Sequence, residues 1–144
     1  MSIDETLLEV HDYTLAGFRP VIDYGAWRVA ILNSSEELLP ENLSQMERHH
    51  ETDEVFVLLR GRCILFLGAG DETITQIYAE EMRPFKIYNV KKAAWHTHTL
   101  SEEAMVLVVE NRDTTTANSA YGALTEAQRQ TIVDLTRAWW NDND

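Results

Sequence analysis

The chain has 144 residues, of which 24 are acidic and 12 basic, giving a formal charge of −12. A length near ~150 residues points to one domain, 1–144, large enough to bury roughly 68–70% of the surface its unfolded chain exposes. The charge argues against nucleic acid and against membrane surfaces as partners, since both call for a basic face. The longest apolar runs, Val55 to Leu59 and Ala104 to Val109, fall far short of the ~20 residues of a membrane span. The opening MSIDETLLEV carries acid in place of a basic region and has no long apolar stretch, so it does not read as a secretory signal. Cys63 is the only cysteine, which excludes an intrachain disulfide and fits a reducing, cytoplasmic compartment. It stands in an apolar strand pattern and reads as a small buried side chain.

Most of the chain reads as short strands. Trp27 to Asn33 is the first. Ser34 to Asn42 then has room for a single helical turn, stopped at Pro40. Leu43 to His50 is a second strand. Glu54 to Leu59 and Cys63 to Leu67 flank Arg60-Gly61-Arg62, which predicts a hairpin with Gly61 supplying the turn. Ile74 to Ala79, Phe85 to Val90, Ala94 to Leu100 and Ala104 to Glu110 complete the set. Short strands at this spacing argue for an all-β sandwich or barrel, expected over about 13–113. A helix follows, over about 125–140. Thr125-Glu126-Ala127-Gln128 fits a capping box, and Ile132, Leu135 and Trp139 form an apolar stripe widened by Val133 and Trp140. The helix is expected to pack on the barrel or on a partner subunit. Asn141 to Asp144 is an acidic tail expected to fray.

The chemistry concentrates in two places. Glu47-Arg48-His49-His50-Glu51-Thr52-Asp53-Glu54 sets two histidines before a carboxylate that opens an apolar strand. Trp95-His96-Thr97-His98 holds two more, on one strand face because side chains alternate. Imidazole and carboxylate are ligands that suit Zn, Mn, Fe, Ni or Cu. His11 has no partner nearby and reads as a surface residue. If Glu54 points inward, so do Phe56 and Leu58, and Val55, Val57 and Leu59 face the other way. That second apolar face must meet a sheet, the C-terminal helix or a second subunit, and any patch left over predicts a homodimer. Arg48, Arg60, Arg62, Arg83, Lys91 and Lys92 are the cations near these motifs. Arg60 and Arg62 flank a turn and read as solvated. No Gly-rich phosphate loop and no G-x-S-x-G elbow is present.

These residues resemble the cupin superfamily, whose first motif is G(x)5HxH(x)3–4E(x)6G. Glu54 and Gly61 match its second half, and a histidine precedes Glu54 at either permitted spacing. The second motif, G(x)5PxG(x)2H(x)3N, aligns its histidine with His96, while Lys91, Ala93 and Leu100 replace its proline, glycine and asparagine. The resemblance covers Leu43 to Asn111, about half the chain. It implies an all-β double-stranded β-helix, a jelly-roll barrel with the C-terminal α-helix added, and a divalent metal ion, Mn, Fe, Zn or Ni, on His and Glu ligands. With three residues between His and Glu, the ligands are His50, Glu54 and His96, and Arg48 falls where a ligand belongs. With four, they are Glu47, His49, Glu54 and His96. The second register is preferred because it keeps four sound donors, and His50 stays as the alternative to His49. His98 stands ready to fill a vacancy. The implied function is a metal-dependent enzyme on a small polar metabolite, of isomerase, lyase or oxygenase type. The alternative is a non-catalytic small-molecule-binding or regulatory module without metal.

Overall fold

The computed structural model describes residues 1–141, so the tail at 142–144 lies outside the described residues. Ten strands follow one another: β1 (Gly17–Tyr24), β2 (Trp27–Asn33), β3 (Gln45–His49), β4 (Glu54–Arg60), β5 (Cys63–Ala69), β6 (Gln76–Glu81), β7 (Tyr88–Val90), β8 (Trp95–Leu100), β9 (Met105–Asn111) and β10 (Ser119–Ala123). One α-helix, α1 (Glu126–Asn141), ends the described residues. The strands form two antiparallel five-stranded sheets, ordered β1-β2-β9-β4-β7 and β10-β3-β8-β5-β6. This is the jelly-roll arrangement expected, with the C-terminal helix added.

Two strands escape the sequence pattern. β1 contains Pro20 and a register shift between Pro20 and Ile22. A proline weakens the strand signal, yet it is tolerated here because β1 is an edge. β10 reads SAYGA and lies beyond the expected end of the barrel at residue 113. It has little intrinsic strand preference and forms by pairing with β3, Ser119 against His49 through Ala123 against Gln45.

Arg60-Gly61-Arg62 does turn the chain, but not as a hairpin. β4 pairs with β7 and β9, whereas β5 pairs with β6 and β8 in the other sheet. The turn is a corner between sheets. Gly61 is required there: its φ is 74°, and a Cβ would stand 2.5 Å from Ala104 Cα. The Ser34–Asn42 segment holds two short 3-10 turns, Glu36–Leu38 and Pro40–Asn42. Pro40 opens the second turn instead of ending the first. Its missing N–H costs nothing at that position.

Alternation along the strands divides the apolar residues into two cores. Between the sheets lie Leu32, Phe56, Leu58, Leu65, Leu100, Val106, Val108 and Cys63. The Cys63 thiol is pushed up to about 12 by burial, so it carries no thiolate at neutral pH. The second core lies behind the β10-β3-β8-β5-β6 sheet, where Met46, Ile64, Phe66, Ile74 and Trp95 meet Ile132, with Leu135, Trp139 and Trp140 packed against them. α1 thus packs on the barrel itself.

Both helix ends are tied down. The Gln128 N–H donates to Thr125 Oγ1 at 3.1 Å, and the Thr125 N–H donates to Gln128 Oε1 at 2.9 Å, which is the capping box expected. Gln128 Nε2 also donates to the Ile74 carbonyl at 2.9 Å. At the other end Arg62 donates to the Trp139 and Trp140 carbonyls at 2.9 and 3.3 Å, while it pairs with Glu81. Arg62 is therefore engaged, not solvated, and its charge faces the negative end of the helix. We predict that Thr125→Ala lowers stability by about 1 kcal/mol in chemical denaturation. An unchanged midpoint would show that packing alone holds the helix.

Candidate metal centre

Three strands carry the candidate donors inward. In β3, Met46 joins the core under α1, and the Arg48 guanidinium lies 4.3 Å from the Trp95 ring centroid on that same outer side. Strict alternation then turns Glu47 and His49 to the interior. Glu54 opens β4 on the face of Phe56 and Leu58 and is 5% exposed. His96 in β8 is the direct register partner of Glu47 and is 1% exposed.

The donor atoms of Glu47, His49, Glu54 and His96 lie within 4.8 Å of one another. His49 Nε2 stands 2.7 Å from Glu54 Oε2, and His96 Nε2 stands 3.3 Å from it. Glu47 Oε1 is 3.8 Å from each imidazole Nε2. Ligands about 2.1 Å from one ion stand about 3.0–3.4 Å apart, a spacing these separations bracket. Two buried atoms, Glu54 Oε2 and His96 Nε2, have no well-directed hydrogen bond although they face each other. The outer ring nitrogens are held: His96 Nδ1 lies 3.0 Å from the Ala94 carbonyl, and His49 Nδ1 lies 2.7 Å from Ser119 Oγ. A carbonyl only accepts, so His96 Nδ1 carries a proton, and Nε2 is the nitrogen that presents a lone pair inward once the ring is neutral. The four residues could hold one divalent ion.

The electrostatics agree with that geometry. Burial alone would raise the Glu54 carboxyl, but contacts with His49 and His96 hold it well below the usual range. Burial alone would lower both imidazoles, and the Glu54 carboxylate overrides it and raises them. Glu47 is raised, chiefly by burial. Without an ion, protons on the imidazoles balance Glu54, and a bound cation would replace them.

His50 is exposed and takes no part in the cluster, because it lies one residue beyond the inward-facing His49. His98 does not join the four donors either. It lines the cavity beside them, with its ring 5.5 Å from Phe56 and its buried Nδ1 without a hydrogen-bond partner. Burial pushes it down to about 4, with the His96 charge adding to the effect. His11 is a surface residue, 2.8 Å from Glu9.

Three neighbours of the cluster were not singled out by the sequence. Ser119 holds His49 from β10, a strand without a clear signal. Arg28 and Glu110 are register partners on β2 and β9, and both turn inward. Arg28 donates to Glu110 Oε1 from Nε at 3.1 Å and from Nη2 at 2.5 Å. Glu110 Oε2 stands 3.9 Å from His49 Nε2. Burial and the Glu54 charge push Glu110 up to about 7 against the pull of Arg28. A charged residue in phase with Ala30 and Leu32, or with Val106 and Val108, was the available signal.

Two cavities meet at the cluster. One of about 390 Å³ is lined by Arg28, His49, Glu54, Phe56, His98 and Glu110, among others. The other, about 600 Å³, runs past Glu36, Asn42, Gln45, His96 and Thr97. They share Glu37, Leu38, Glu47, His98 and Tyr121.

No protein-family model and no curated protein matches the chain. Solved structures do. The capsular polysaccharide assembling protein CapF from Staphylococcus aureus superposes with a TM-score of 0.56 at 15% identity, over 85% of this chain and 34% of that one. This chain thus spans about a third of CapF. The QdtA 3,4-ketoisomerase from Thermoanaerobacterium thermosaccharolyticum, solved with TDP, gives 0.52 at 12% identity, over 81% of this chain and 77% of the other. A cupin-2 domain protein from Shewanella frigidimarina gives 0.48 at 15% identity, over 75% and 88%. The chain shares the two-sheet jelly-roll fold of CapF and QdtA. At these identities the likeness concerns the fold alone.

The approach to β8 contains a strained turn, in which Ala93 has φ 65°. The turn keeps its left-handed residue because the Ala93 N–H donates to the His49 carbonyl at 2.8 Å, which joins the approach to β8 to the end of β3. The left-handed conformation costs a residue with a Cβ roughly 1–2 kcal/mol. Part of that returns as the greater freedom of an unfolded glycine. Ala93→Gly should therefore stabilise the fold by about 1 kcal/mol, read as a higher denaturation midpoint. A lower midpoint would mean the turn bears no strain.

Proposed function

We propose that this chain is a metal-dependent enzyme acting on a small polar metabolite, with Glu47, His49, Glu54 and His96 holding one divalent ion. The observation that carries the reading is the pair of buried, undirected atoms, Glu54 Oε2 and His96 Nε2, turned toward each other beside a cavity. Leaving such atoms unsatisfied is costly, and an ion between them removes the cost. Two imidazoles and two carboxylates suit Mn or Fe, with Zn and Ni as further candidates. A bound ion would supply Lewis acidity to a ligand oxygen. Phe56 and Leu38 give the adjoining cavity an apolar wall. The fold hosts many chemistries, so the reaction type is not drawn from it.

Elemental mass spectrometry on untagged protein, purified without chelator, tests this. The expected result is about one transition metal per chain. His96→Ala should abolish it with the circular dichroism spectrum unchanged, and His50→Ala should leave it in place. No metal after adding Mn, Fe, Zn and Ni would overturn the reading and leave the non-catalytic binding module.

The working unit in this proposal is a homodimer in a reducing cytoplasm. α1 covers only the β10-β3-β8-β5-β6 sheet. On the other sheet Val29, Ile31, Val55, Val57, Leu107 and Val109 face outward as half-buried register neighbours. Trp27 and Leu59 extend this apolar face at 44% and 48% exposure. A second copy would cover it. Sedimentation velocity should give a dimer, and Leu107→Lys should give a folded monomer. A wild-type monomer at every accessible concentration would refute this assembly.

A further inference from the structure

The cavity beside the cluster has an unusual charge pattern. Arg28 is the only lysine or arginine lining it among the described residues. Its guanidinium makes two hydrogen bonds to Glu110 and a third, from Nη2, to the Thr114 carbonyl at 3.2 Å. That charge is already matched. Arg48, Arg60 and Arg62, the other arginines of the first motif and its turn, are engaged elsewhere. Arg48 donates to the Asp71 carbonyl, Arg60 to the Glu103 carbonyl, and Arg62 to Glu81 and the end of α1. Sites for carboxylate or phosphate ligands use an uncommitted guanidinium, an ammonium or a nest of N–H groups. Among the described residues no free lysine or arginine lines the cavity.

The inner region is close to neutral overall. This step rests on the metal-dependent reading: Glu47 and Glu54 cancel the charge of one divalent ion, as Glu110 cancels Arg28. At the rim stand the exposed carboxylates Glu36 and Glu37, which repel anions and accept hydrogen bonds from hydroxyls. Deeper in, no lining carboxylate is left over to hold a cationic group, because Glu47 and Glu54 are taken by the ion and Glu110 by Arg28. Beyond the two atoms that face the ion, a further inner atom lacks a partner: His98 Nδ1 is buried without a hydrogen bond, and its ring lines both cavities. A ligand hydroxyl can satisfy it in either protonation state of the nitrogen. Nearby polar groups, Asn42, Gln45, Thr97 and Tyr121, are uncharged at neutral pH and able to donate and accept. The smaller cavity, about 390 Å³, is in the range of small-metabolite pockets.

We propose that this cavity takes a small neutral polyhydroxylated molecule, free of carboxylate and phosphate, with His98 Nδ1 hydrogen-bonded to one of its hydroxyls. The probes are three molecules with one carbon skeleton and different charge: glucitol, gluconate and glucamine. Saturation-transfer NMR on the protein as isolated, its metal content measured in the same sample, gives their affinities. Glucitol should bind saturably and at least about tenfold more tightly than gluconate or glucamine. His98→Ala should weaken glucitol by about tenfold or more with metal content unchanged. Glu110→Gln, which leaves the Arg28 charge unmatched, should narrow the gap between glucitol and gluconate. Equal or tighter binding of gluconate or glucamine would overturn the proposal. So would the absence of saturable binding by glucitol, mannitol, xylitol and myo-inositol alike. A charged probe preferred by metal-loaded protein would sink the ligand class and leave the metal reading standing. A neutral preference in protein that takes up no metal would do the reverse.

Discussion

The burial of one carboxylate organises the interior. Glu54 sits 5% exposed at the start of an apolar strand, where an uncompensated charge would cost several kcal/mol. Compensation has to come from other strands, because its own neighbours Val55 and Phe56 offer none. It comes from His49 on β3 and His96 on β8, which must therefore be brought close and turned the right way. The Glu47–His96 register, the Ser119 contact to His49 and the Ala94 carbonyl on His96 each serve that requirement. Even the left-handed Ala93 belongs to this set, because its N–H fixes the end of β3 against the approach to β8. Strain is accepted in the turn so that charge is balanced in the core.

The two sheets have different fates. One is buried on both faces, by the barrel interior on one side and by α1 on the other. This explains why β5 is apolar throughout, from Cys63 to Leu67. The other sheet is also apolar on both faces, but the described residues supply no second layer for its outside. The asymmetry sets β3 and β8, which carry three of the four candidate donors, in the doubly covered sheet, where positions are held most firmly.

What was legible in the residues was mostly periodicity. The inward set Glu54, Phe56 and Leu58, the stripe on α1 and the capping box at Thr125 each follow from spacing within a single segment. The failures share a different cause. Gly61 announced a turn, but whether the strands it joins pair with each other depends on the sheet each one enters, which is a long-range fact. β10 exists because β3 has a free edge, and SAYGA carries no trace of that partner. The preference for His49 over His50 rested on counting sound donors and agrees with the cluster, but its structural cause is parity relative to Met46, whose outward direction is set by α1 more than eighty residues later. Arg28 and Glu110 lie 82 residues apart, and each alone resembles a charged strand end. Only their register makes them a buried pair.

Arg62 and Gln128 clamp α1 at opposite ends, to the corner after Gly61 and to the Ile74 carbonyl. The helix thus cannot fray away from its sheet one turn at a time, and the two open as a single cooperative unit. Its inner face presses Met46 and Trp95, which sit on the backs of the strands whose fronts carry Glu47 and His96. A close-packed interior passes on volume changes because it has no slack to absorb them. Ile132 on the outer layer therefore belongs to the mechanical support of the donor set, and the tolerance with which Glu47 and His96 are held is decided from behind, by a helix that contributes no donor of its own.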